Sequence, residues 1–154
     1  MDNRIFGDPG TDAFQVKKYP FFLLNRLISR YNGVIEARLR AIGLDIPYWR
    51  VLLILGEHAP SGIRDIADAA IIPLSTMTRI IQRMAAAGFV LCDPSAEDAR
   101  VTMVSLSPLG REKLVEARAA TSPVYKTVIE NVSARDFDRL IDLLERLQVN
   151  LDQL

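Results

Sequence analysis

The chain has one cysteine, Cys92, one histidine, His58, and one tryptophan, Trp49. A lone cysteine excludes an internal disulfide framework. One histidine and one distant cysteine cannot build a zinc site, so no metal and no other cofactor is expected. Net charge is lacking too: 19 basic residues balance 19 acidic ones. That excludes a polybasic tail and an acidic disordered one. No apolar run approaches the ~18–20 residues of a membrane helix. The opening Met1-Asp2-Asn3-Arg4, with Asp8 and Asp12 close behind, lacks the apolar stretch of a secretory signal. No membrane contact is expected, and the cytoplasm is the expected location. Lysine occurs only at positions 17, 18, 113 and 126, which leaves 15 arginines. Arginine suits phosphate and guanine edges but equally suits ion pairs between helices, so the bias is compatible with nucleic acid and no more. No glycine-rich phosphate loop and no nucleophile–base pair is readable, and no enzyme is expected.

What is present is an ordinary globular composition, 49% hydrophobic and 25% charged over 154 residues, enough for a real core. Residues 1–17 carry Gly7, Pro9 and Gly10 among polar residues and read as an arm with little structure of its own. A helical stripe follows, Phe21, Leu24, Ile28, Tyr31, Ile35, Leu39 and Ile42, closed by Gly43. Pro47 opens a second helix that runs to about His58. After the turn Ala59-Pro60-Ser61-Gly62, Ser61 is the expected N-cap of a short helix from Ile63 to Ala70. Ile71-Ile72-Pro73 breaks it. A further helix runs to Ala87, with Leu74, Met77, Ile80, Ile81 and Met84 as its apolar set. Then the period changes. Phe89 to Cys92 and Arg100 to Leu106 read as two strands around a polar turn. Ser107-Pro108 starts a helix expected to bend near Pro123. Ser133 to Asp136 resembles a capping box. It opens a last helix with the stripe Phe137, Leu140, Ile141, Leu144, Leu147, Leu151 and Leu154.

Chemistry concentrates between Ile63 and Met84. A short helix with Ile66 and Ala70 facing inward and Ala67 small enough to let a second helix cross close by, a three-residue break and a second helix with Met77 and Ile80 inward have the spacing of a helix-turn-helix. The outer face of the second helix carries Ser75, Thr76, Thr78, Arg79, Gln82 and Arg83, and no acidic residue lies between Leu74 and Ala87. An ordinary solvated face mixes signs; this one offers hydroxyls and long donors that reach phosphates and base edges. The strand pair that follows reads as a wing. Arg100 near its tip is suited to a narrow minor groove, and Asp98 could hold its guanidinium in an aimed rotamer. Asp93, Glu97 and Asp98 would repel phosphate, and a plain solvent hairpin is the competing reading.

Taken in order, the residues resemble the MarR family of regulators. The marks are Gly43-Leu44-Asp45-Ile46-Pro47-Tyr48-Trp49-Arg50-Val51-Leu52, Ile66-Ala67, Leu74-Ser75-Thr76-Met77-Thr78-Arg79, Ala87-Gly88-Phe89-Val90, Asp98-Ala99-Arg100 and Leu106-Ser107-Pro108-Leu109-Gly110. The likeness covers Tyr19 to about Leu151. It implies a mainly α fold with a small β-hairpin wing: a winged helix-turn-helix lobe at 44–107 and a helical dimerisation region from 18–43 and 108–154. It implies a homodimeric, sequence-specific regulator of double-stranded DNA, a repressor acting on a pseudo-palindromic operator and relieved by a small aromatic or phenolic effector. Carried over by position, Ser75, Thr76, Thr78, Arg79 and Arg83 contact DNA from the helix, and Arg100 with Asp98 from the wing. Two departures stand out. Cys92 occupies the place of an arginine that many members carry at the end of the first wing strand. The cysteine of the peroxide-sensing branch, near the first helix, is absent.

Cys92 lies in an apolar strand context and reads as a small buried hydrophobe rather than a sensor. Tyr31, Trp49 and His58 are the polar-tipped aromatics that could line an effector pocket between the dimerisation helices and the DNA-binding lobe; packing, or helix C-capping for His58, is the competing reading. The apolar stripes of the first and last helices point to a second subunit. The alternative function is a winged-helix dimer that binds protein instead of DNA, which the neutral charge and acidic wing motivate.

Overall fold

The structure, a computed structural model, describes residues 2–154. It divides into two compact units between Thr121 and Ser122. The main helices and strands, in chain order, are α1 (Pro20–Arg40), α2 (Ile46–Glu57), β1 (Ser61–Gly62), α3 (Ile63–Ala70), α4 (Leu74–Ala86), β2 (Val90–Pro94), β3 (Thr102–Leu106), α5 (Pro108–Ile129) and α6 (Ala134–Leu151). The mainly helical winged fold expected from the sequence is the fold observed.

Within the first unit, the N-terminal segment is more structured than its composition suggests. It forms two short helical turns, Asn3–Gly7 and Val16–Lys18. The amide of Gln15 donates to the Phe6 carbonyl at 2.8 Å, and the Thr11 hydroxyl donates to the Ile5 carbonyl at 2.7 Å. Phe14 packs edge-on against Tyr19. These bonds satisfy backbone groups that an isolated arm would leave to water.

Pro20 starts α1, where a missing N–H costs nothing. Only its C-terminal half is covered: Ile35 and Leu39 are fully buried, whereas Phe21, Leu23, Leu27 and Ile28 are exposed. Asp45 caps α2 by accepting from the Tyr48 amide at 2.8 Å. Val51, Leu52 and Leu55 put α2 into the core.

Three helices end in the same six-residue closure. In α1, Leu44 N–H bonds Leu39 O and Gly43 N–H bonds Arg40 O. After α4, Phe89 bonds Met84 and Gly88 bonds Ala85. After α3, Ile72 bonds Ala67 and Ile71 bonds Asp68. This Schellman arrangement requires a left-handed residue. Gly43 (φ 76°) and Gly88 (φ 81°) supply it without a Cβ; the third position is Ile71 at φ 54°. A left-handed conformation costs an L-residue roughly 1–2 kcal/mol, and a β-branched one is a true outlier.

The wing holds one strand more than the sequence suggests. The sheet order is β1-β3-β2, all antiparallel. Ser61 pairs with Val104 and Gly62 with Met103. Ser61 therefore does not cap α3. Its hydroxyl donates to the His58 carbonyl, and Gly62 precedes the helix without a side-chain cap. A run of two residues has no readable period, so only the partner edge of β3 reveals it. The two long strands also start later than expected, β2 at Val90 and β3 at Thr102, because Arg100 belongs to the turn. In β2 only Val90 is buried, and Cys92 is exposed, contrary to the buried role expected for it. Cys92 shares a face with Val90, but the packed core ends at Val90 and the rest of the strand is exposed.

Ser107 ties the wing to α5. Its hydroxyl donates to the Gly88 carbonyl at 2.5 Å and accepts from the Gly110 amide at 2.9 Å. This draws the first turn of α5 onto the backbone that enters β2, and a Cβ at position 110 would lie 1.9 Å from the Phe89 carbonyl oxygen.

In the second unit α5 continues through Pro123, and α6 follows. Ser133 caps α6, accepting from the Asp136 amide at 3.1 Å. The Asp136 carboxylate accepts from the Ser133 hydroxyl, so the box closes on a side chain and not on a backbone amide. No residue of α6 is buried.

The contact at Gly110 is backbone to backbone and cannot be relieved by a side-chain shift. Gly110→Ala should destabilise the first unit by about 1–3 kcal/mol, read as a lower thermal midpoint; an unchanged midpoint would show that α5 does not need this approach.

Candidate nucleic-acid interface

The recognition element is built from inside outward. Ile66 and Ala67 of α3 are buried, as are Met77, Ile80, Ile81 and Met84 of α4. Ala67 offers little bulk, so the helices cross closely. Fixing that face of α4 leaves Ser75, Thr76, Arg79, Gln82 and Arg83 on the surface. No carboxylate lies within 4.0 Å of Arg64, Arg79 or Arg83 among the described residues. Thr78 is half-buried, and its hydroxyl donates to the Leu74 carbonyl at 2.9 Å, which leaves the oxygen as an acceptor only. Arg83 lies over the Tyr48 ring at 5.7 Å, and Tyr48 packs edge-on against Phe89. That stacking limits the rotamers of a long side chain at the edge of the interface.

Leu74 departs from the inner set assigned to it. It is 40% exposed. As the first residue of α4 it lies outside the packed stretch and lines an open groove of about 380 Å³ with Arg64, Thr78, Arg100 and Thr102. This groove joins α3, α4 and the wing. Arg64 is the residue that the sequence did not disclose. Its neighbour Asp65 cancels its charge in any local count, and only the fold brings it to the same groove as Arg100.

At the wing tip, Arg100 Nε and Nη2 each donate to an Asp98 carboxylate oxygen at 3.0 Å, and the Arg100 amide donates to Asp98 Oδ1 at 3.0 Å. The arginine side chain is 90% exposed. A fully solvated ion pair adds little to stability. Its effect is to hold an extended guanidinium in one orientation. The side-chain hydrogen bond from Arg100, and then its backbone amide, push the Asp98 pKa below its ordinary value of 3.8. The Cys92 thiol is pushed up, first by partial burial and then by the Asp93 charge, so it stays protonated at neutral pH.

Tyr31 of α1 is part-buried, which pushes its phenol pKa up. Trp49 of α2 is part-buried, and its indole Nε1 is shielded from solvent without a hydrogen-bond partner among the described residues. His58 differs from both. Its amide caps α2 by donating to the Ile54 carbonyl at 2.8 Å, and its side chain is 73% exposed. That is the capping position, with the imidazole turned to solvent.

A family model for the MarR family matches residues 44–102, from the closure of α1 to the start of β3. The helix-turn-helix transcriptional repressor IacR of Pseudomonas putida is 37% identical over 147 residues, covering 96% of this chain and 88% of its own. The chain belongs to the MarR family. This MarR-family protein is a winged helix-turn-helix transcriptional regulator. Its fold is also that of a cysteine-to-serine mutant of Escherichia coli MarR complexed with operator DNA (TM-score 0.72, 17% identity, 81% of this chain and 90% of that one). CouR from Rhodococcus jostii, bound to p-coumaroyl-CoA, shares it as well (TM-score 0.79, 19% identity, 86% and 94%). No described helix is long and apolar enough to cross a membrane.

The Asp98–Arg100 clamp can be tested by titration. Its contribution is present above the ordinary carboxylate pKa and is lost only as pH falls through the lowered one. An NMR titration should place the Asp98 midpoint below 3.8 and move it upward, toward 3.8, in Arg100→Ala, which loses the guanidinium and keeps the backbone amide. Equal midpoints in the two proteins would mean that the clamp is absent in solution.

Proposed function

We propose that this MarR-family regulator is a homodimeric repressor of a pseudo-palindromic operator in the cytoplasm. In this reading α4 occupies the major groove, with Ser75, Thr76, Arg79 and Arg83 reaching bases and phosphates. Thr78 accepts from DNA donors only. Arg100, aimed by Asp98, enters the flanking minor groove, and Arg64 takes a backbone phosphate beside it. The observation that carries the reading is the outer face of α4: long cationic donors without a paired carboxylate, on a protein of zero net charge. Guanidiniums on a solvated face with no carboxylate beside them keep their donors available, and phosphate and guanine supply the acceptors.

A second copy supplies the symmetry. In α1, Phe21, Leu23, Leu27 and Ile28 are exposed, and in α6, Leu140, Ile141, Leu144 and Leu151 are exposed. Such surfaces exceed what a monomer leaves to water. A two-fold axis then sets the two α4 helices ~34 Å apart, one turn of B-DNA. The helical dimerisation region at 18–43 and 108–154 and the DNA-binding lobe at 44–107 follow from this assignment.

The effector in this reading is a small aromatic or phenolic molecule. Tyr31 and the unpartnered indole Nε1 of Trp49 support it, since a buried donor without an acceptor favours an incoming oxygen. The exposed His58 side chain adds no such support. An effector that prefers a dimer with altered α4 spacing lowers operator affinity by linkage. The CouR complex with p-coumaroyl-CoA is a precedent on the same fold for such a ligand.

Binding should be measured against salt on a duplex that the protein selects from a random library. With ~6–10 phosphates neutralised per dimer, the log–log slope should lie near −5 to −9. Arg79→Ala should cost about 1–3 kcal/mol at its base pair, and Arg100→Ala should weaken binding as well. A slope near zero, or wild-type affinity in both variants, would instead support a module that binds protein.

A further inference from the structure

Three helices of the first unit close with the same pair of backbone hydrogen bonds, and each needs one left-handed residue. Two of the three use glycine. The third, between α3 and α4, uses Ile71, a β-branched residue at φ 54° and ψ 50°. The same residue is 89% exposed, the second most exposed large apolar side chain described, after Leu154. Both features are unfavourable in the free protein. Glycine would relieve the backbone and remove the wetted side chain, and the chain employs it at both equivalent positions. Ile72, the next residue, is part-buried and completes the closure, so the core does not depend on the Ile71 side chain.

Location suggests the use. Ile71 lies three residues before α4, and a recognition helix enters the major groove by its N-terminal end. The closure, Pro73 and the first turn of α4 travel together. In that stretch the exposed side chains are Ile71, Pro73, Leu74, Ser75 and Thr76. The apolar ones have no hydrogen bond to offer DNA. One base presents an apolar group in the major groove, thymine, through its C5-methyl. We propose that Ile71 is a specificity-determining residue that packs on a thymine methyl at the edge of each half-site. The proposal rests on the DNA-binding reading above and is continuous with the α4 surface. It extends that surface from hydrogen-bonded contacts to a methyl contact that the sequence did not indicate.

The test pairs one variant with one base analogue. Ile71→Gly should fold with a thermal midpoint no lower than wild type, because glycine suits the left-handed closure. On the duplex selected by the wild-type protein, it should bind more weakly, by about fourfold for each thymine methyl left uncovered. Replacing half-site thymines one at a time by deoxyuridine, which lacks only the methyl, should weaken wild type by a similar factor at one position. At that position Ile71→Gly should be indifferent to the exchange. Equal operator binding by wild type and Ile71→Gly overturns the proposal and leaves Ile71 to contact a protein. A deoxyuridine effect of the same size in both proteins overturns it too. Failure of the wild-type protein to bind any duplex refutes the DNA reading itself and is seen before the variant is made.

Discussion

Met77, Ile80, Ile81 and Met84 of α4 are buried, as are Ile66 and Ala67 of α3. Burying a large apolar side chain contributes about 1.5–3 kcal/mol. That anchoring fixes the rotation of α4 about its own axis. A helix turn is 3.6 residues, so choosing the inner face also chooses the outer one. The donors of the outer face are presented because the other side is held, and no separate interaction is needed to aim the helix.

The remaining parts of the lobe refine this single constraint. Tyr48, positioned by the Asp45 cap of α2, lies under Arg83. Ser107 holds the start of α5 against the Gly88–Phe89 backbone. The tip arginine of the wing is clamped by Asp98. Each device restricts a long or mobile group that would otherwise lose entropy on meeting DNA. Charge is placed likewise. The protein is neutral overall, and its acidic residues are kept off α4. A local field of this kind steers one face toward an anion without making the whole molecule adhesive.

Much of this was legible in the sequence. The 3.6-residue period exposed α4 and its inner face, and the absence of acid between Leu74 and Ala87 marked the outer one. The spacing of Asp98 and Arg100 suggested their pairing, and the structure contains it. What escaped depends on contacts between segments distant in the chain. β1 is two residues long and exists because β3 has a free edge. Cys92 is exposed because the packed core ends at Val90, one turn of the pleat before it, which an apolar run does not reveal. Leu74 fits the inner stripe by period yet lies at a helix end, where the stripe has nothing to pack on. Arg64 is cancelled by Asp65 in sequence but joined to Arg100 by the groove in space. Ile71 reads as part of an apolar break, and only its backbone angle and exposure set it apart.

The central claim is that two copies of α4 read adjacent major grooves. Methylation interference on the selected duplex tests it most directly, because guanine N7 lies in the major groove. Two clusters of interfering guanines, centred ~10–10.5 base pairs apart and related by the operator's symmetry, are the result the proposed dimer predicts. A single cluster, or interference confined to minor-groove adenines, would contradict it.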